Sequence, residues 1–156
     1  MHYTTEKEIN DLLAQFIHQS LPKEKWTHEA HLTGAIWHLV NHDFYEAVCL
    51  IKSRIIAYNL AVGGANSSTS GYHETLTIFW MKLISIFVEK NRHKSLLEIT
   101  NELLASPLSL RSVTEHFYSK EKLMSAVARA IFIPPDKHEI SSESIEDLQY
   151  TMGNDQ

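Results

Sequence analysis

Apolar residues recur along most of this chain at intervals of three and four, the spacing that places side chains on one face of an α-helix. The first such run covers residues 9–17 and follows Thr5 and Glu8, whose separation is that of a helix-capping box. The run ends before Pro22, which cannot continue a helix. The pattern therefore predicts a first helix near the start of the chain.

Two more helices follow directly in the sequence. Thr27 is suited to cap a second helix that runs to about Asn41, and Asp43 with Glu46 is suited to cap a third. The third helix carries an apolar stripe on one face, which comprises Phe44, Ala47, Val48, Ile51, Ile55 and Tyr58.

The periodic pattern stops after Asn59 and gives way to a loop rich in glycine and serine over residues 63–71. A fourth helix is predicted from near Tyr72 to about Lys90, and a fifth from Ser95 to about Ala105. The loop has two interpretations at this point, a mobile lid over a site and a plain long connection. Both remain open.

The last third of the chain is expected to add two helices, capped by Ser109 and Ser119, the second ending before Pro134. The apolar face of this second helix comprises Leu123, Ala126, Val127 and Ala130. Ser125 and Arg129 lie on the opposite face and are expected to face solvent. We therefore predict an all-α fold, a single-domain bundle of six or seven helices over residues 1–136. Residues 137–156 are expected to form an acidic, irregular tail.

Composition narrows the range of partners. The chain has 156 residues, a net charge of −5, five glycines and four prolines. A net negative charge provides no basic surface for nucleic acid or for anionic lipid, which leaves small molecules or proteins as partners. The longest apolar stretch, residues 78–88, is interrupted by Lys82 and is too short to span a membrane. The oligomeric state stays open.

The single cysteine and the polar first residues indicate the cellular compartment in which the protein is expected. Cys49 has no second cysteine to pair with, so no internal disulfide can form, and we interpret it as a small packing residue within a helix. Residues 1–8 lack the apolar segment of a signal peptide. The expected location is the cytoplasm.

Ten histidines are an unusual number, and five of them fall between residues 18 and 42. His28 and His31 are three residues apart in the first turn of the second predicted helix, so both imidazoles can point to the same side. A divalent metal ion needs such neutral nitrogen ligands. The alternative is a pair of half-exposed polar residues. His38 and His42 lie too far along the helix to share the same ion and are interpreted as polar residues at the edge of the core.

His73 strengthens the metal interpretation. Projected on a helix, it falls in line with an apolar stripe that must face the core, namely Leu76, Thr77, Trp80, Leu83, Ile84 and Phe87. A buried imidazole needs a partner for each nitrogen, and a metal ion is one such partner. The alternative is a core histidine that is hydrogen-bonded to a backbone carbonyl. We predict that His28, His31 and His73 bind one divalent ion, which is Zn, Fe, Mn or Ni.

Three histidine ligands leave coordination positions open, which is typical of a catalytic site. Glu74 follows His73 and is the candidate general base, although a first-turn glutamate also interacts favourably with the helix dipole without any catalytic role. Thr77 shares the stripe with His73.

Arg54 lies at the edge of the third helix's stripe. It is a candidate for binding a substrate carboxylate or orienting a ligand; the alternative is a surface ion pair.

Several segments together resemble a family of small, uncharacterised bacterial proteins that are all-helical. The resemblance rests on Trp26-x-His28-x-x-His31-Leu32, on Tyr58-Asn59, on Gly71-Tyr72-His73-Glu74-Thr75-x-Thr77 and on Ala128-Arg129 with Pro135-Asp136. It covers most of residues 26–136. The resemblance implies that His28, His31, His73, Glu74, Asn59 and Arg129 belong to one site, but it implies no reaction.

Three functions are compatible with these observations. The first is a metal-dependent enzyme, hydrolytic or Fe(II)- and oxygen-using, that acts on a small polar molecule through a three-histidine centre. The second is a non-catalytic module that binds a metal or another ligand. The third is a helical protein–protein adaptor in which the histidines are structural.

Overall fold

Short-range capping determines where the main helices begin. In the computed structural model, which describes residues 2–154, four predicted caps each accept a hydrogen bond from the backbone N–H three residues further on. These caps are Thr5, Thr27, Asp43 and Ser95. Each side chain satisfies a backbone donor that has no partner inside the helix, so the starts of these helices are encoded locally.

Within residues 2–154 the chain forms nine α-helices and no strand. They are α1 (Glu6–Ile17), α2 (His28–Asn41), α3 (Phe44–Ala61), α4 (Glu74–Lys90), α5 (Leu96–Ala105), α6 (Val113–Phe117), α7 (Lys120–Leu123), α8 (Ala126–Ala130) and α9 (Ser142–Asn154). Two 3₁₀ turns are also present, Lys23–Lys25 and Pro107–Ser109. The all-α prediction is confirmed, and the six longer helices agree with the predicted number.

Helix α2 lies at the centre of the bundle. It packs against α1, α3, α4 and α5, and its buried residues fall on most sides of the helix rather than on one stripe. A helix that is apolar all round is best accommodated inside a fold, which explains its position. Despite this apolar character, none of the helices in the described part of the chain has the length and hydrophobicity needed to cross a bilayer.

The region between α5 and α9 differs from the two helices that were predicted. Ser109 caps no helix; it ends a 3₁₀ turn, and its hydroxyl donates to the carbonyl of Ser106. Ser119 does act as a cap, but its helix stops at Leu123 and Ser125 caps the next one. Serine side chains that bond the nearby backbone interrupt helices as readily as they start them. The region therefore consists of three short helices.

This break also reverses the predicted orientation of α8. Ala128 is fully buried, whereas Val127 is 57% exposed, so the face that was predicted to be apolar points outward. Arg129, predicted to face solvent, is half-buried. The projection failed because it continued the helical phase from Leu123, although a new helix begins after Ser125. Cys49 likewise does not pack in the core, since it is exposed on α3.

The acidic tail is more ordered than its composition predicts. Helix α9 packs against the 3₁₀ turn Pro107–Ser109, and Ile145 and Leu148 are only 2% and 4% exposed. Two apolar residues three apart are enough to bury one face of an otherwise acidic helix. The part of the predicted irregular tail from Ser142 to Asn154 is therefore helical, and residues 155–156 lie outside the described part.

Candidate functional site

The first turns of α2 and α4 meet beside a cavity of about 380 Å³, which is also lined by α3. The three predicted ligands, His28, His31 and His73, all line this cavity, and so do Asn59 and Thr77. Glu74, Arg54 and Arg129 do not belong to its lining. We call this space the histidine cavity.

His28 presents one unshared nitrogen. Its Nε2 lies 2.8 Å from the carbonyl oxygen of Ser109, and because a carbonyl only accepts, Nε2 carries the proton. Nδ1 then has a free lone pair and no hydrogen-bond partner within residues 2–154. Burial lowers the pKa of His28, with a further contribution from the nearby charge of Arg111. The ring is therefore neutral at pH 7, a form able to accept a hydrogen bond or bind a metal.

His31 repeats this arrangement with the two nitrogens exchanged. Its Nδ1 donates to the carbonyl oxygen of Thr27 at 2.7 Å, which leaves Nε2 as the acceptor, without a protein partner in the described chain. Burial lowers the pKa of His31 to about 4, and the ring packs on Trp26 at 4.2 Å between centroids. A ring nitrogen whose opposite N–H is held by a carbonyl is the usual arrangement of histidine ligands to metals.

His73 is buried, 6% exposed, and both of its nitrogens are occupied. Nδ1 caps α4 by accepting from the N–H of Leu76 at 3.2 Å, and Nε2 donates to the carbonyl oxygen of Leu123 at 3.0 Å. Its predicted core-facing position is confirmed. In this conformation, however, the ring has no free lone pair to offer to a metal.

No group of three His, Cys, Asp or Glu side chains among the described residues is arranged to hold a metal ion. The three-histidine centre therefore stays a prediction. It requires His73 to give up its contact with Leu76, and also its contact with Leu123 if Nε2 is the ligand atom, because a neutral imidazole carries only one proton and both nitrogens are already in use. His28 and His31 need no such rearrangement of their protonation.

Glu74 lies next to the cavity but points its carboxylate elsewhere. It accepts a hydrogen bond from Lys52 Nζ at 2.6 Å and one from the hydroxyl of Tyr72 at 2.7 Å. These contacts neutralise its charge and occupy both of its oxygens. The predicted role of Glu74 as a general base stays a prediction, and it would require one of these two contacts to open.

Neither Arg54 nor Arg129 belongs to the cavity lining, although Arg129 contacts two residues that do. Arg54 donates from Nη1 to Nε2 of His38 at 2.6 Å and forms no ion pair within residues 2–154. Its role in binding a substrate or orienting a ligand stays a prediction. His38 lies in the core rather than at its edge. Arg129 donates from Nη1 to the carbonyls of Gly71 and Tyr72 at 3.0 and 3.2 Å. Arg129 therefore anchors the loop that leads into α4.

The glycine- and serine-rich loop is further fixed by Asn66. Its Oδ1 accepts from the N–H of Tyr72 and from Nδ2 of Asn59, while its own Nδ2 donates to the carbonyl of Ile56. Gly71 adopts φ +77°, and a Cβ at this position would lie 2.0 Å from the carbonyl oxygen of Ala65. Only glycine fits such a position, so the loop has one defined path over the end of α3.

Among the lining residues that the sequence did not identify as site residues, four carry an aromatic or a charged side chain. Trp26, Tyr72 and Trp80 supply aromatic walls, and Arg111 supplies a cation. Trp26 and Tyr72 stand beside predicted histidines in the chain, which was an available signal. Arg111 comes from the segment between the second 3₁₀ turn and α6, and nothing in its local sequence indicates the cavity. The indole N–H of Trp26 is the one buried side-chain donor or acceptor of the described residues that lacks a partner.

Over the described residues, the fold and the cavity together define an all-helical protein in which three histidines and three aromatic side chains line one cavity. Comparison of this chain with known protein families, with curated proteins and with solved structures finds no match. The resemblance to a family of small bacterial proteins therefore stays a prediction from the motifs alone.

Proposed function

We propose that this protein binds a small organic molecule in the histidine cavity. The observation that carries the proposal is the pair His28 and His31, which both line the cavity and each keep one ring nitrogen unshared. Polar groups that folding leaves unpaired beside a cavity are satisfied by a ligand or by water. Backbone carbonyls fix the tautomers of both rings, so the two acceptors are organised before any ligand arrives.

The other walls support the same function. Leu32, Ile51, Ile55 and Met81 are apolar lining residues, and they stand beside a few polar groups such as Asn59 and Thr77. Ligand pockets are typically apolar with a small number of placed polar groups, in the range of about 300–1,000 Å³. The volume of the histidine cavity, about 380 Å³, falls in that range.

Tryptophan side chains provide a direct test. Trp26 and Trp80 line the cavity, whereas Trp37 lies outside its lining, where its indole N–H donates to Asn10. We expect a ligand drawn from a set of small metabolites to shift the indole N–H signals of Trp26 and Trp80 in a ¹H–¹⁵N spectrum. The signal of Trp37 serves as an internal control and should not move.

A variant that fills the space completes this test. Ala35 lines the cavity and is buried, so Ala35→Leu should weaken binding, provided that thermal unfolding shows the variant to be folded. The proposal is wrong if no compound moves the signals of Trp26 and Trp80, or if all three indole signals shift together. Unchanged binding in a folded Ala35→Leu variant would also contradict it.

A second candidate function is a metal-dependent enzyme that acts on the bound molecule. Nδ1 of His28 and Nε2 of His31 have free lone pairs, and the opposite nitrogen of each ring donates its N–H to a backbone carbonyl, as is usual for histidine ligands to metals. A divalent ion, Zn, Fe, Mn or Ni, would add a Lewis acid beside the cavity. His73 would join as a third ligand only by releasing α4. This candidate is the more specific one, and it depends on a metal.

Metal titration tests this candidate without a known substrate. We expect purified protein to bind Zn²⁺ with a stoichiometry near one, measured by calorimetry, and the double variant His28→Ala, His31→Ala to lose that binding. The matched control is His38→Gln, because His38 is a buried histidine with both nitrogens already bonded. No binding by the wild type, or equal binding by the double variant, would contradict the candidate.

We also propose that the protein acts in the cytoplasm. The support is its single cysteine, Cys49, which is exposed on α3. An exposed free thiol is compatible with a reducing compartment, whereas secreted proteins of this size commonly contain paired cysteines. Fractionation of cells that express the full chain, with detection by antibody, tests this location; recovery outside the cytoplasm would contradict it.

A further inference from the structure

The charged side chain that lines the histidine cavity is a cation. Arg111 belongs to the lining, whereas neither an aspartate nor a glutamate does. The guanidinium of Arg111 forms no ion pair with any residue in the described part of the chain, and it is exposed. Its charge also contributes to the lowered pKa of His28. An unpaired guanidinium at the edge of a cavity is suited to bind a carboxylate in a bidentate manner.

The backbone adds to this positive potential. Helix α2 begins at His28 and α4 begins at Glu74, and residues of both first turns line the cavity. The N-terminal end of a helix carries a partial positive charge from its unpaired N–H groups. The acidic residues of these two first turns are Glu29 and Glu74; neither lines the cavity, and Glu74 is paired with Lys52. The cavity therefore favours an anion over a cation.

Flat side chains form part of the wall. Trp26, Tyr72 and Trp80 all line the cavity. The ring of Trp26 is already packed between Phe16 and His31, at 3.9 and 4.2 Å between ring centroids, so an aromatic ring of a ligand would pack on Tyr72 and Trp80. The two neutral imidazoles add a different requirement. Since Nδ1 of His28 and Nε2 of His31 can only accept, a ligand that bonds either of them directly carries a hydroxyl or N–H donor.

We propose that the ligand of this cavity is a small aromatic acid that also carries a hydroxyl or N–H donor. Its carboxylate binds Arg111 at the exposed edge, its ring packs among the aromatic side chains, and its donor group bonds the unshared nitrogen of His28 or His31. This inference rests on the proposed binding function and specifies the chemical class of the ligand.

Three matched compounds test each part of the inference. They are 4-hydroxybenzoate, 4-hydroxybenzamide, which is neutral, and benzoate, which lacks the donor. We expect 4-hydroxybenzoate to bind the wild type about ten-fold more tightly than either of the others. Each of the other two compounds lacks one hydrogen-bonding contact, and the loss of a contact worth about 1.4 kcal/mol weakens binding ten-fold. Dissociation constants come from calorimetry, and the indole signals of Trp26 and Trp80 report the place of binding.

Arg111→Gln identifies the group that recognises the carboxylate. We expect this variant to bind 4-hydroxybenzoate and 4-hydroxybenzamide equally. The matched control is Arg92→Gln, since Arg92 is an exposed arginine that follows the C-terminal end of α4, lies outside the cavity lining and pairs with Glu89. Arg92→Gln should keep the ten-fold preference of the wild type.

Each outcome separates this inference from the proposed function. If the amide binds as tightly as the acid, or if Arg111→Gln keeps the preference for the acid, then the ligand class is wrong and the binding function stands. If benzoate binds as tightly as 4-hydroxybenzoate, the role of the imidazoles as acceptors is wrong. If none of the three compounds binds, the inference fails, and the wider metabolite set decides whether the cavity binds anything.

Discussion

Arg54 donates a hydrogen bond from Nη1 to Nε2 of His38 at 2.6 Å, across the contact between α3 and α2. The other nitrogen of His38 donates to the carbonyl of Gly34, also at 2.6 Å. The imidazole is fully buried, and burial lowers its pKa to about 4, with a further contribution from the charge of Arg54. His38 is thus held neutral. A proton on Nε2 would point at the guanidinium of Arg54, which has no acceptor atom and carries the same charge.

This contact predicts acid sensitivity. A histidine in the unfolded chain titrates near 6.5, so between about pH 4 and 6.5 the unfolded state binds a proton that folded His38 does not. The free energy of unfolding should therefore fall as the pH drops through this window, by up to about 1.4 kcal/mol per pH unit from this residue. Urea unfolding of wild type and His38→Gln from pH 4.5 to 8 measures the difference in slope.

The same series contains its own control. Above about pH 7 the histidine is neutral in both states, so the gap between the two proteins there reports only the structural cost of the substitution. His38→Gln should then show a shallower fall of stability toward acid. Parallel curves for the two proteins would exclude His38 as a source of acid sensitivity.

His73 should contribute to stability as a helix cap. His73→Ala removes the acceptor for the N–H of Leu76 and the donor to the carbonyl of Leu123, and we expect it to cost about 1–3 kcal/mol in urea unfolding. His73→Asn keeps a good cap and loses only the contact with Leu123, so it should recover part of that cost. Equal losses in the two variants would show that capping by His73 adds nothing.

Two glycines of similar backbone conformation should respond differently to alanine. Gly63 and Gly71 have φ of +76° and +77°, but a Cβ at Gly63 meets nothing within 4 Å, whereas one at Gly71 would overlap Ala65. Gly63→Ala should cost about 1–2 kcal/mol from backbone strain alone, and Gly71→Ala clearly more. Thermal unfolding measures both variants. Similar costs would mean that the loop takes another path near Gly71.

The pair of Glu74 and Lys52 should be detectable by a double-mutant cycle. Their side chains are 16% and 33% exposed, and we expect Glu74→Gln and Lys52→Met to show a coupling energy of about 0.5–1 kcal/mol at low salt. Raising the ionic strength should reduce this coupling, since screening weakens a partly exposed ion pair. A coupling of zero would indicate that the Glu74 carboxylate is available for another role.

The sequence predicts the helical framework well because the relevant signals are local. Thr5, Asp43 and Ser95 bond backbone groups three residues away, so their role can be predicted without knowing the rest of the fold. The stripe on α3 and the core-facing position of His73 also follow from periodicity over a few turns. Such signals fail where a helix is only one turn long, as between Ser119 and Ala130.

The site is predicted only in part because its details depend on distant contacts. Periodicity places His73 in the core, but it cannot reveal that Leu123, fifty residues later, accepts from its Nε2. The same holds for His28, whose partner is Ser109, and for Arg111, which reaches the cavity from an irregular segment. The sequence therefore predicts that His28, His31 and His73 lie at one site, but it predicts neither the contribution of Arg111 nor which ring nitrogens remain free.

Helix α9 is connected to the histidine cavity through the turn that holds His28. It packs on the 3₁₀ turn Pro107–Ser109, whose last carbonyl holds the N–H of His28, and it is tied to α4 by the ion pair of Glu146 with Lys90. We therefore expect the docking of this terminal helix to be coupled to the orientation of the imidazole at position 28, and such a coupling acts in both directions. A ligand bound to Nδ1 of His28 should slow hydrogen exchange in α9. Conversely, undocking of α9 should weaken the binding of that ligand.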